Sequence, residues 1–160
     1  MTSPPPSRDG AATSPTNVDQ HDYATSLDFD APPARAFEAL TTLDGLAGWW
    51  TPIVGGDPTA GGELEFGFAG LDEKIVMRVE AATPESSVIW RCLVHSGHPE
   101  WQETQIAFEL RERRAGRGVL TFRHTGLTPD LDCYTACSSG WDHFLASLLR
   151  YAESGKGNPF

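Results

Sequence analysis

Three short stretches of this chain carry side chains of types and spacings that could do chemistry. The first is CYTAC, where Cys133 and Cys137 stand four apart and so share one face of a helix. Two thiols on a helix face are half of a zinc set. No histidine neighbours them in the sequence, so they read as buried free thiols. The second is HSGHP, in which His95 and His98 flank a glycine. A metal could use that spacing, but no thiol or carboxylate pattern joins the pair, and the stretch reads as a polar loop. The third is FRHTGL, where strand alternation puts His124 on the face of Leu120 and Phe122. An inward histidine is a core residue satisfied by hydrogen bonds, a partner for a ligand's polar group, or a general acid or base.

Other polar groups are placed less favourably. His143 sits beside Asp142, off the apolar stripe, and is expected to be exposed. Glu63, Glu65, Glu103 and Glu109 are expected to alternate outward on strands, which suits no paired acid–base chemistry. The chain has no GxSxG elbow, HExxH, P-loop or GxGxxG opening a helix. No catalytic residue, metal ligand or cofactor is assigned.

The 160 residues predict one domain able to bury a core without staples. A net charge of -10 with scattered Lys and Arg disfavours nucleic acid, whose binders need a cationic face. RERRAGRG, residues 111–118, reads as a solvated hairpin turn. No apolar run approaches a bilayer span, so no membrane partner is expected. Three free thiols suit a reducing cytoplasm. Residues 1–20, rich in Pro, Ser and Thr and without an apolar signal region, are expected to be a disordered tail preceding a domain over 21–157.

The elements that must position these residues follow from periodicity. Tyr23 to Phe29 alternate as a half-buried strand, and Pro32-Pro33 end it and open a helix over PARAFEALTT. A second short helix, LDGLAGWW, is stopped by Pro52 and a Gly-rich loop. Four or five strands follow: ELEFGF, EKIVMRVEA, SVIWRCLV with Val88, Trp90, Cys92 and Val94 on one side, TQIAFEL, and VLTFRHTGL. Their short turns imply an antiparallel meander. Trp101 is out of phase with Ile106 and Phe108 and is expected in a loop. Cys137, Trp141, Phe144, Leu145 and Leu148 then form the apolar stripe of a long last helix closed at Gly155. Adjacent Trp49 and Trp50 point different ways, so one is expected in the core and the other, Trp50, at a cavity.

This order resembles the START-related helix-grip (SRPBCC) superfamily, and within it the branch named after the C-terminal domain of the activator of the heat-shock-protein-90 ATPase. The resemblance is carried by DAPPARAFEALTT, LAGWW followed by GGELEF, FRHTGL, and SGWDHFLASLLRYAESGKG, spanning residues 22–157. It implies an α+β fold: a curved antiparallel sheet wrapped around the C-terminal helix, with a cavity between them. The cavity would be lined by Trp50, by Phe66, Phe68, Met77, Trp90, Phe108 and Phe122 of the strands, and by Trp141, Phe144 and Leu148 of the helix. A small apolar or aromatic ligand would sit there, its polar end fixed by His124 and Tyr134. Cyclase-, dehydratase- or hydrolase-like catalysis in the same cavity is the alternative, and a chaperone-activator-like interaction module the second. The full activator carries an additional N-terminal domain where this chain has a short Pro/Ser-rich stretch, so a chaperone partner is not expected. A homodimer is left open.

Overall fold

The computed structural model describes residues 22–160; the expected tail over 1–20 lies outside them. Strand β1 (Tyr23–Phe29) leads into helices α1 (Pro33–Thr41) and α2 (Leu43–Trp49). Six strands follow: β2 (Val54–Gly56), β3 (Glu63–Gly67), β4 (Lys74–Thr83), β5 (Ser87–His95), β6 (Gln105–Arg114) and β7 (Arg117–Thr125). A short 3-10 turn, Pro99–Trp101, joins β5 to β6, and helix α3 (Tyr134–Ser154) closes the chain. The strands form one sheet in the order β1-β7-β6-β5-β4-β3-β2, with every neighbouring pair antiparallel. This is the α+β helix-grip arrangement expected from the sequence.

Local chemistry accounts for most boundaries. Pro33 starts α1, where a missing N–H costs nothing. The Thr42 hydroxyl accepts from Gly45 N–H and caps α2. Gly155 ends α3 at φ 82°, a left-handed conformation that glycine adopts without strain. Helix α3 buries Cys137, Trp141, Leu145, Leu148, Leu149 and Ala152 and packs on α1, α2 and β1. Cross-strand pairs Lys74–Glu65 and Arg78–Glu63 decorate the outer face, and Arg113 and Arg117 reach Asp28 and Asp30 from the expected solvated hairpin.

Three features depart from the sequence reading. Strand β2 lies inside what was read as a Gly-rich loop; at three residues with two glycines it has no alternation to detect. Glu103 sits in the turn before β6 at φ 66° rather than on a strand. The third departure matters most. Met77 pairs with Cys92 while Val76 pairs with Val94, so Leu93 is an extra residue in β5. Such a bulge reverses the inside–outside phase. Val94 is therefore exposed, and His95, read as a loop residue, is buried.

Trp49 lies in the core as expected, with Trp50 beside it rather than turned away. Their rings stack, 5.7 Å apart at 14°, in one core. Trp49 closes α2 and Trp50 is its C-cap, where φ -104° and ψ -71° swing the second indole alongside the first. Trp49 Nε1–H donates to Ala39 C=O at 2.8 Å, tying α2 to α1. That tie requires close approach: a Cβ on Gly45 would lie 2.6 Å from Ala39 Cα and 2.8 Å from its carbonyl oxygen. Gly45→Ala is therefore expected to lower stability by about 1–3 kcal/mol despite alanine's better helix propensity. The urea midpoint reads this out; an unchanged or raised midpoint contradicts the close packing.

Candidate functional site

Between sheet and helix the centre is filled. Phe66, Met77, Trp90, Phe108, Phe122 and Leu148 are fully or almost fully buried. A continuous run of rings crosses the interior: Trp50 to Trp90 at 5.9 Å, Trp90 to Phe108 at 5.0 Å, Phe108 to Phe122 at 5.2 Å, and Phe122 to Trp141 at 4.6 Å. The first three are the stacked and edge-on arrangements that the ring quadrupole favours, and the last is tilted at 50°.

An aromatic-walled gap of about 170 Å³ opens at one end of the grip. Its aromatic wall is Trp50, Phe68, Trp101, Trp141, Phe144 and Phe160. Leu71, Glu73 and Ile75 come from the β3–β4 connection and the start of β4, and Ala136, Cys137 and Gly140 from α3. His95 and His98 supply imidazoles from the end of β5 and the turn after it. Of the residues expected at a cavity, Trp50, Phe68, Trp141 and Phe144 line this gap, while Phe66, Met77, Trp90, Phe108, Phe122, His124 and Leu148 lie in the packed interior behind it. Tyr134 packs against the core from outside the gap.

Trp101, His95 and Phe160 were not among the expected lining residues. Trp101 does sit in a connection as expected, but it is buried, stacked on Trp141 at 5.7 Å and 12°. Phe160 arrives because the end of the chain folds back: its N–H donates to Trp50 C=O at 2.7 Å, and its ring meets Phe68 edge-on. Trp90 and His95 stand five apart, an odd count that puts them on opposite faces until the Leu93 bulge brings both inward.

His124 holds this wall in place. Indole N–H can only donate, so the 3.0 Å contact from Trp141 Nε1 makes His124 Nδ1 the acceptor. The ring proton is then on Nε2, which donates to Thr104 Oγ1 at 2.8 Å. Thr104 in turn donates to Trp101 C=O at 2.5 Å. Both ring nitrogens are thus engaged by protein. Burial pushes the His124 imidazole down to about 3, with the neighbouring His95 adding to the effect. Burial, then His98, pushes His95 down to about 4; its Nδ1 accepts from the backbone N–H groups of Gly97 and His98. Both rings are neutral at pH 7.

The cysteines are free and buried. Trp101 Nε1–H donates to Cys137 Sγ at 3.2 Å. Burial pushes the Cys92 and Cys133 thiols up to about 12 and raises Cys137 as well, so none is a thiolate nucleophile at neutral pH. The sequence showed no histidine beside Cys133 and Cys137. The fold supplies one: ligand atoms of His98, Cys133 and Cys137 lie within 4.8 Å of one another.

The profile of activator of Hsp90 ATPase homolog 1-like proteins matches residues 30–153. The chain belongs to this family. Among solved structures it is similar to the Aha1 dimer from Colwellia psychrerythraea, at 29% identity and a TM-score of 0.74 over 85% of this chain and 98% of that one. It is also similar to protein SSP2350 from Staphylococcus saprophyticus, at 20% identity and a TM-score of 0.67 over 86% and 95% of the two chains. DynU16, from the dynemicin biosynthetic locus, matches at 22% identity and a TM-score of 0.67, covering 86% of this chain and 49% of its own. The last two likenesses show the fold alone. No curated protein matches the chain. Among the described residues no helix is long and apolar enough to cross a membrane.

The engaged imidazole has a pH consequence for this member of the family. His124 has a folded pKa of about 3 against 6.5 ordinarily, so the unfolded chain binds the extra proton between them. Its contribution is fully present above pH 6.5 and is lost as pH falls toward 3. The slope from this one group approaches about 1.4 kcal/mol per pH unit. Nitrogen-15 NMR of the histidine rings is expected to show His124 as the neutral Nε2–H tautomer still at about pH 5. An imidazolium signal from His124 at that pH contradicts the relay.

Proposed function

We propose that this protein binds a small apolar or aromatic molecule, of about one ring with substituents, in the gap beside Trp141. The observation that carries this reading is the gap itself: about 170 Å³ walled by indole and phenyl rings, with Glu73, His95 and His98 as polar groups at its lining. Apolar cavities on the order of 150 Å³ hold a benzene ring. A ligand here would bury its ring against Trp50, Trp101 and Trp141, and its polar end would meet the imidazoles or the Glu73 carboxylate.

Acid–base catalysis on His124 is the weaker reading, because both nitrogens of that ring are bound by Trp141 and Thr104. The Colwellia relative, described as a dimer, supports a homodimer for this chain, and buried free thiols support a reducing compartment such as the cytoplasm.

Gly140 gives a direct test. A Cβ built there meets nothing within 4 Å, so a larger side chain enters the gap without a clash. Phenol and indole, followed by ligand-observed NMR, are expected to bind the natural chain. Gly140→Leu is expected to weaken them at least about tenfold while the unfolding midpoint stays level or rises, since glycine costs a helix about 0.5–1 kcal/mol. No binding to the natural chain, or equal binding to both, contradicts the proposal.

A further inference from the structure

We propose that His98, Cys133 and Cys137 form a site for a borderline-soft divalent cation, Zn²⁺, at the junction of the β5–β6 connection and the start of α3. The three ligand atoms already lie within 4.8 Å of one another. With Zn–S near 2.3 Å and Zn–N near 2.0 Å, tetrahedral ligands stand about 3.4–3.8 Å apart, so the cluster needs a contraction of at most about 1.4 Å. Two sulfurs and an imidazole are the donors that favour Zn²⁺ over the hard cations that carboxylates attract.

Independent contacts hold each side of the cluster. The His98 backbone N–H donates to His95 Nδ1 at 3.0 Å, fixing the turn that presents the imidazole. Cys133 is the N-cap of α3 with no side-chain capping bond, and Cys137 N–H donates to its carbonyl at 2.7 Å. Both residues therefore sit in the first turns of α3, and their thiols, protonated in the free protein, would lose their protons on binding the metal. The Trp101 indole N–H on Cys137 Sγ supplies the outer hydrogen bond that metal-bound sulfur accepts. His98 and Cys137 line the gap, which gives the ion a way in.

The chemistry balances without a redox partner. Two Zn–S bonds and one Zn–N bond form, two S–H bonds break, and two protons pass to solvent; the imidazole coordinates as the neutral ring. Once filled, the site would clip the connection carrying His95 and Trp101 to α3, bracing one wall of the gap. It stands independently of what the gap holds, since metal uptake is read without any organic ligand.

The test uses the full chain, reduced and stripped by a chelator, then titrated with Co²⁺ and Zn²⁺. Co²⁺ is expected to bind one per chain with a thiolate-to-cobalt charge-transfer band and strong tetrahedral visible bands, both removed by one equivalent of Zn²⁺. Cys133→Ser and Cys137→Ser are expected to abolish the charge-transfer band. His98→Gln, on a half-buried turn, keeps the fold and weakens Co²⁺ at least about tenfold. Uptake below one per chain, spectra lacking the thiolate band, or affinity unchanged in His98→Gln overturns the site.

Discussion

The arrangement at the open end of the grip depends on one buried hydrogen-bonded chain: Trp141 to His124, His124 to Thr104, and Thr104 to the carbonyl of Trp101. Each bond contributes a net of about 0.5–1.5 kcal/mol, but stranding any of these groups would cost about 1–3 kcal/mol. That asymmetry makes the chain all-or-none. It joins the middle of α3 to β7 and to the connection before β6, so two indoles from distant parts of the sequence meet as parallel plates. Trp90 shows the contrast: its indole nitrogen is the buried side-chain donor without a partner among the described residues. Stacking and burial hold Trp90; a polar network holds Trp141 and Trp101.

With the wall fixed, the size of the remaining space follows from packing. Large rings project inward from α2, β3, β5, β6, β7 and α3, and together they occupy the volume that a longer cavity would need. Rings of fixed shape pack less completely at the margin than at the centre, where each has neighbours on all sides. The gap is therefore left at the end, bounded by a turn, a chain terminus and the first half of a helix. Those are the parts of the chain with the least sheet pairing around them, and also those that bring Glu73, His95 and His98 alongside carbon. A pocket so formed sees both apolar surface and titratable groups.

The sheet, its antiparallel order and the gripping helix were legible because each rests on a local period. Leu64, Phe66 and Phe68 alternate, and Cys137, Trp141, Leu145 and Leu148 recur at helical spacing. The inward direction of His124 was legible for the same reason. What escaped was whatever depends on a single displaced residue or on distance. The Leu93 bulge inverts the phase of His95, and nothing in SVIWRCLVH marks it. The juxtaposition of His98 with Cys133 spans a stretch of chain no spacing rule covers. Phe160 joins the gap through a backbone bond to Trp50 that has no sequence signature. The interior filled where a chamber was expected because alternation gives direction, while occupancy depends on how six rings interlock.

Xenon at pressure in crystals of the protein most directly probes the central point, that the middle is packed and the vacancy lies at one end. Xenon enters dry apolar spaces without needing a polar contact. The account expects its density beside Trp50, Trp141 and Phe144, with none between Trp90, Phe108 and Leu148. Density in that central region, or none beside Trp141, would contradict it.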